Sequence, residues 1–307
     1  EFNELGKLLV YRVAYAMGMS YDEAKKALID ITGLSIDELE RRVNEIERMI
    51  KEIEVKVDEL KRWVSLLKQK FAADIIIANK VDFEQGIIYP NIKVEDGELK
   101  IRAEDKYHNV VRAGKFNELI SNVKSKLTGN GVVVVVGPKG IGKSTLAAAV
   151  IWELVSKHEV GLVTRVDMLD SKNYSEFATF VENYGKEFGK YFGRLLILYD
   201  PVSTKAYERV DIDVEAPIQS NIERTIKNLV DIVKLISSKA SKTFTLIVLP
   251  SDVYNALSGE RRNELEGYRL DVSQGLISTE FLAELIREYS KTKDKPNGCA
   301  LSDDVLS

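Results

Sequence analysis

The chain has 307 residues, 45% of them hydrophobic and 30% charged, with 44 basic against 48 acidic side chains for a formal net charge of -4. That length has room for about two domains of ~150 residues, and the near-balance of charge excludes an overall basic field of the kind that advertises nucleic acid. A single cysteine, Cys299, excludes an intrachain disulfide or a cysteine metal cluster, the two histidines His108 and His158 do not replace one, and no apolar run approaches the ~20 residues of a membrane span.

These features fit a reducing cytoplasm. The high proportion of Ile, Val, Lys and Glu fits a thermophile's usage. The sequence opens on Glu1-Phe2 rather than Met and stops at Ser307, just after the helix-start signal Ser302-Asp303-Asp304. It is therefore expected to be a piece of a longer protein.

Residues 3 to 17 and 21 to 32 read as two short helices, the second opened by Ser20 with Glu23 three residues on, a capping box, and closed at Gly33. Ser35 and Glu38 repeat the signal and open a helix with apolar positions at Ile36, Leu39, Val43, Ile46, Ile50, Ile53, Val57, Leu60, Val64, Leu67 and Phe71. Their spacing alternates three and four over about five heptads, which predicts a coiled-coil helix roughly 50 Å long. Arg42 and Glu47 would attract across a parallel dimer, Lys56 and Lys61 would repel, and Met49, Val55 and Trp63 widen the apolar face. The seam fits either packing within the chain, against the first two helices, or self-association with a second copy or another protein.

A helix-turn-helix reading of Ile31 to Val43 sets Asp37, Glu38 and Glu40 against DNA phosphate, which is unfavourable. Nucleic acid is thus a conceivable partner that nothing here indicates. From Ile87 to Ala103 the pattern changes to alternation, with Ile92-Lys93-Val94 and Leu99-Lys100-Ile101 flanking Asp96-Gly97, so a β-hairpin is predicted.

From about residue 113 helix and apolar strand alternate: helix 113 to 127, strand 131 to 136, helix 143 to 156, strand 160 to 166, helix 173 to 189, strand 194 to 199, helix 217 to 240, strand 243 to 249. Tyr268 to Val272 supplies a fifth strand, and a helix follows from Ser278. Continuous apolar strands between helices mean a parallel sheet covered on both faces. The fold class is α/β: a parallel five-stranded core over 105–272, preceded by a helical coiled-coil domain (1–82) and a β-hairpin linker (83–104), and followed by the start of a helical lid (273–307).

Gly137-Pro138-Lys139-Gly140-Ile141-Gly142-Lys143-Ser144 fits G-x-x-x-x-G-K-[ST], follows five consecutive valines and precedes an Ala-rich helix. That is the setting a P-loop requires, so the core is read as a P-loop NTPase core. The glycines let backbone N–H groups curl around phosphate, and the helix start at Lys143, Ser144 and Thr145 adds its partial positive charge. Lys143 is assigned to the β- and γ-phosphates and Ser144 to Mg²⁺. Asp200, ending the run Leu195 to Tyr199, is the second Mg²⁺-associated residue, but the next position is Pro201, where a catalytic Glu is often found. Candidates for the base are Glu208, Asp211, Asp213, Glu215, Asp167 and Asp170.

After the fourth strand, Ser251 in Pro250-Ser251-Asp252 is placed to sense the γ-phosphate. Arg261 and Arg262 are candidates for an arginine finger reaching a neighbouring subunit. No Asn/Thr-Lys-x-Asp guanine reader follows that strand, so ATP is favoured over GTP.

Together, strand-P-loop-helix, Asp200, Ser251-Asp252, Arg261-Arg262 and Tyr268-Arg269-Leu270-Asp271-Val272-Ser273 resemble the AAA+ and STAND ATPases, most closely the archaeal STAND-like ATPases, over residues ~105 to 307. The resemblance implies Mg²⁺-dependent ATP hydrolysis, ATP and ADP as ligands, and a segment at Asn109-Val110-Val111-Arg112 whose backbone lies by adenine, which adds Val111 to the nucleotide-binding residues. It implies a conformational switch. The alternatives are a nucleotide-binding scaffold with little turnover, a DNA-associated loader-type ATPase, and a small-molecule kinase.

Overall fold

The computed structural model describes residues 3–32, 36–70, 75–103, 106–110, 112, 114–166, 169, 171–201, 215–237, 243–279, 281–284 and 286. Val111, the candidate bases Asp167, Asp170, Glu208, Asp211 and Asp213, and the cap signals at Gly33, Ser35 and Ser302 lie outside these residues. The chain divides into two compact units, Glu1–Arg62 and Trp63–Ser307.

In the first unit α1 (Asn3–Met17) and α2 (Tyr21–Thr32) form a small pair around Val10, Ala14 and Ala24. The Ser20 N–H donates to Glu23 Oε2 at 2.8 Å and the Glu23 N–H donates back to Ser20 Oγ at 3.3 Å, so two otherwise unsatisfied helix-start donors find acceptors. α3 (Ile36–Lys70) is one unbroken helix that starts in this unit and ends in the second. Its seam residues Ile46, Ile50 and Ile53 remain about half exposed. Packing of Ile46, Ile50 and Ile53 on α1 and α2 is therefore corrected: the small cluster draws its described members from those two helices and the turn between them, and Leu8, Tyr11, Tyr15 and Met17 of α1 stay exposed as well.

The second unit is built on a six-stranded sheet rather than five. β1 (Ile75–Ala78) pairs antiparallel with β6 (Val160–Val166), and β6, β7 (Arg194–Tyr199), β8 (Thr243–Pro250), β5 (Val132–Gly137) and β9 (Arg269–Asp271) then follow side by side, all parallel. The extra strand corrects the reading of residues up to 82 as helical: Ile75-Ile76-Ile77 are β-branched and favour a pleated, buried surface.

Val133, Val135, Val163, Leu196, Leu198, Leu246 and Val248 turn to one face and share a core with α5 (Gly114–Asn130) and α6 (Lys143–Ser156). The intervening Val134, Ile197 and Ile247 point the other way by strand alternation and are equally buried. There α9 (Glu215–Ser237) meets β8 and α7 (Ser171–Asn183).

The predicted helix 173 to 189 is three pieces: α7, a π-helical turn Tyr184–Phe188, and α8 (Gly189–Phe192). The wider turn keeps Phe180, Tyr184, Phe188 and Phe192 in successive ring contact at 6.2 to 6.4 Å. Gly161 is required here, because a Cβ would sit 1.6 Å from the Phe192 carbonyl oxygen.

Ahead of the P-loop strand, β2 (Ile92–Glu95) and β3 (Glu98–Ala103) pair antiparallel around Asp96 (φ 55) and Gly97 (φ 78), both left-handed as a tight two-residue turn demands. β4 (Lys106–Asn109) adds a third strand on β3. α4 (Lys80–Glu84) precedes them, opened by a reciprocal cap between Asn79 and Asp82. Its Phe83 stacks on Trp152 of α6, with ring centroids 6.3 Å apart and planes 4° from parallel.

Candidate nucleotide site

The candidate loop leaves β5, between β8 and the edge strand β9, at Gly137 and enters α6 at Lys143. Two backbone positions need glycine: Gly140 at φ 83 and Gly142 at φ 94 lie where side chains strain the chain. At Gly137 a Cβ would meet Ile141 Cδ1 at 2.7 Å and Val272 Cγ2 at 3.2 Å, so a larger residue would have to displace those side chains.

Gly142 occupies the cap position of α6 and offers no side-chain acceptor. The first N–H groups of a helix lack intrahelical acceptors. Here they open at the loop, where an anion would satisfy them and the helix dipole would favour it. Lys139 is exposed and Pro138 half-buried, while Ser144 and Thr145 sit half-buried in the first turn.

Lys143 is 7% exposed, and its Nζ donates to the Pro138 carbonyl at 2.6 Å. Burial pushes its ammonium below the ordinary lysine range, while the charges of Asp200 and Asp252 act in the opposite sense. A buried cation bent onto a loop carbonyl, with carboxylates near it, fits the place of a phosphate: the anion would take over the ammonium and strengthen its charged form.

Asp200 follows β7 and is fully buried. β8 separates β7 from the P-loop strand, and Gly137 pairs in register with Pro250, so Ser251 begins α10 (Ser251–Ala256) level with the loop and between the two strands. The sheet thus gathers Lys143, Ser144, Asp200 and Ser251 at the ends of adjacent parallel strands, where α/β sheets form their clefts. Among the described residues no group of three or more His, Cys, Asp or Glu could hold a metal ion. Ser144 and Asp200 are oxygen donors of the kind that Mg²⁺ accepts beside phosphate and water.

Arg261 and Arg262 fall in α11 (Gly259–Glu266). Arg261 is ion-paired to Glu264, which also takes Lys234. Arg262 is exposed. Around Val111, Val110 donates its N–H to the Leu99 carbonyl at 2.8 Å and Arg112 pairs with Glu153 of α6 at 3.0 Å.

Sequence reasoning missed two residues. Tyr89, 4% exposed, donates its hydroxyl to Asp200 Oδ2 at 3.0 Å. Arg165 on β6, 2% exposed, donates to the Ile88 carbonyl at 2.6 Å and the Asp200 carbonyl at 3.3 Å, with its guanidinium 5.3 Å from the Tyr89 ring centre. The available signal was a charge in an otherwise apolar strand of a parallel sheet, where such strands are buried on both faces.

No protein-family model matches the chain, and no curated protein matches it. Among solved structures it is similar to a chain of the E. coli MS115-1 HORMA:CdnC:Trip13 complex, with TM-score 0.39 and 13% identity over 62% of this chain and 68% of that one. It is also similar to Cdc6p from Pyrobaculum aerophilum, with TM-score 0.38 and 13% identity over 59% of this chain and 51% of that one. For C. elegans PCH-2 the values are 0.30 and 13%, over 52% and 42%.

Proposed function

We propose that this chain binds ATP with Mg²⁺ at the Gly137–Thr145 loop and hydrolyses it to drive a conformational switch of the AAA+/STAND type. The observation that carries the reading is Lys143: a buried lysine at the mouth of an uncapped helix, turned onto the Pro138 carbonyl. A structural lysine has no need of the two left-handed glycines that shape the loop around it.

In this reading the N–H groups at the start of α6 bind the β-phosphate, and Lys143 reaches the β- and γ-phosphates. Ser251 lies beside the γ-phosphate as its sensor, and Ser144 and Asp200 orient the metal's water shell. Mg²⁺, when bound, neutralises charge on the transferred phosphoryl group. Water adds to the γ-phosphorus and the bond to the β-phosphate oxygen breaks, giving ADP and inorganic phosphate. Arg262, exposed on α11, reaches a neighbouring copy as a finger, whereas Arg261 is engaged by Glu264 and would first have to leave it. The segment from Ser273 onward is the lid, and the exposed seam of α3 is where a second copy or a protein partner docks.

A second reading, a nucleotide-bound scaffold with little turnover, is favoured by Pro201, which leaves no carboxylate directly after Asp200. The experiment is phosphate release from Mg·ATP by the wild type, Lys143→Ala and Asp200→Ala over a range of protein concentrations, alongside ATP binding. Turnover lost in both variants supports the switch. Tight binding without turnover overturns it in favour of the scaffold, and absence of binding in the wild type overturns both.

A further inference from the structure

The buried contacts around Asp200 reach far along the chain, to a segment that carries no part of the P-loop. Ile88 and Tyr89 follow α4 and a turn at Gly86 (φ 80), where a Cβ would sit 2.9 Å from the Ile92 carbonyl oxygen. The turn is closed by Ile87 N–H on the Asp82 carbonyl at 3.1 Å and by Ile92 N–H on the Tyr89 carbonyl at 2.9 Å. Tyr89 is therefore held at both ends, and its hydroxyl meets the Asp200 carboxylate in a water-excluded setting. Burying a guanidinium is costly unless its N–H groups are bonded. Arg165 instead spends two of them on backbone carbonyls, one of Ile88 and one of Asp200. One cation thereby ties the main chain of the upstream segment to the main chain of the carboxylate, while the hydroxyl ties side chain to side chain.

We infer that Tyr89 is a positioning residue for the metal-associated carboxylate of Asp200, and that Tyr89 with Arg165 makes segment 79–92 respond to Mg·ATP. A carboxylate that orients metal-bound water works only if its own direction is fixed, and partners that fix such ligands typically matter about 10- to 100-fold for metal affinity. The Tyr89 hydroxyl engages Oδ2 of Asp200 and so sets the plane of the group.

The inference rests on nucleotide binding at the loop, and its test separates the two. ATP affinity of the full chain is measured by calorimetry across a Mg²⁺ series, starting in chelator, for the wild type and Tyr89→Phe. The expected result is a Mg²⁺ midpoint raised about tenfold or more in Tyr89→Phe, with ATP affinity in chelator unchanged. Hydrogen exchange of a peptide spanning 79–92 should slow on Mg·ATP in the wild type and much less in Tyr89→Phe. An unchanged Mg²⁺ midpoint, or equal weakening with and without Mg²⁺, overturns the positioning role and marks Tyr89 as a packing residue. Arg165→Lys, which keeps the charge but gives up the guanidinium's two-pronged reach, should lose the exchange response, and its persistence overturns the coupling. A wild type that binds no ATP overturns the nucleotide reading itself.

Discussion

Replacing Lys143 by Met should separate stability from function, because the native side chain is held at a cost. Two effects oppose each other in the nucleotide-free protein. The bond from Nζ to the Pro138 carbonyl, at 2.6 Å, belongs to the charged class that contributes about 1.5–3 kcal/mol. Against it stands the desolvation of an ammonium that is 7% exposed, a penalty of several kcal/mol per buried ion before compensation. The methionine fills nearly the same volume, so the net change in stability should stay within about 1 kcal/mol, or ~2–4 °C in Tm.

ATP binding responds differently: truncating one member of a buried charge pair costs about 2–5 kcal/mol, a loss of roughly 30-fold to several thousand-fold in affinity. The sign with pH follows from the lowered pKa. Between the folded and the unfolded pKa the unfolded chain binds more protons, so wild-type stability should rise with pH through that window, and the methionine variant should lack the rise. Thermal unfolding at several alkaline pH values and ATP calorimetry test both parts. A variant that unfolds, or that binds ATP as the wild type does, would refute the reasoning.

Asp200→Asn keeps an acceptor for the Tyr89 hydroxyl, so it should fold like the wild type while ATP binding loses its Mg²⁺ dependence, read by calorimetry in Mg²⁺ and in chelator. Gly161→Ala forces a Cβ onto the Phe192 carbonyl and should cost about 3 kcal/mol or more, seen as a large fall in Tm or loss of soluble protein. Glu284→Ala removes the acceptor of the Gly114 N–H at 2.7 Å at the start of α5. It should cost about 1 kcal/mol, measured by urea unfolding. Ile46→Glu with Ile50→Glu should leave Tm unchanged and, if two copies meet along α3, halve the mass seen by sedimentation.

The parts legible in sequence are those whose causes are local. The P-loop is a run of adjacent residues with a strand before it and a helix after it, and α6 begins and ends where its pattern says. Asp200 was legible as the first polar residue after an apolar strand. Arg165 and Tyr89 were not, because their partners lie 35 to 111 residues away in the chain. β1 was missed for a related reason. Its four residues follow closely on a long apolar seam, and their pairing with Val163 to Val166 is set by the folded sheet alone. The π-helical turn was hidden because aromatic residues four apart read as ordinary helix.

Strand β1 also bears on how this protein can be cut. The outer strands of the sheet, Ile75–Ala78 and Arg269–Asp271, are four and three residues long. Between them the longer strands have both sides paired, and short terminal strands are one way proteins avoid sticking edge to edge. A truncation at residue 105, where the nucleotide core begins by sequence pattern, would strip β1 away and uncover the seven-residue, largely apolar Val160–Val166. Such a fragment would present a template for aggregation, and would also lose Phe83, Ile88 and Tyr89 from the core, while keeping every residue of the P-loop, so its insolubility would not by itself argue against the nucleotide site.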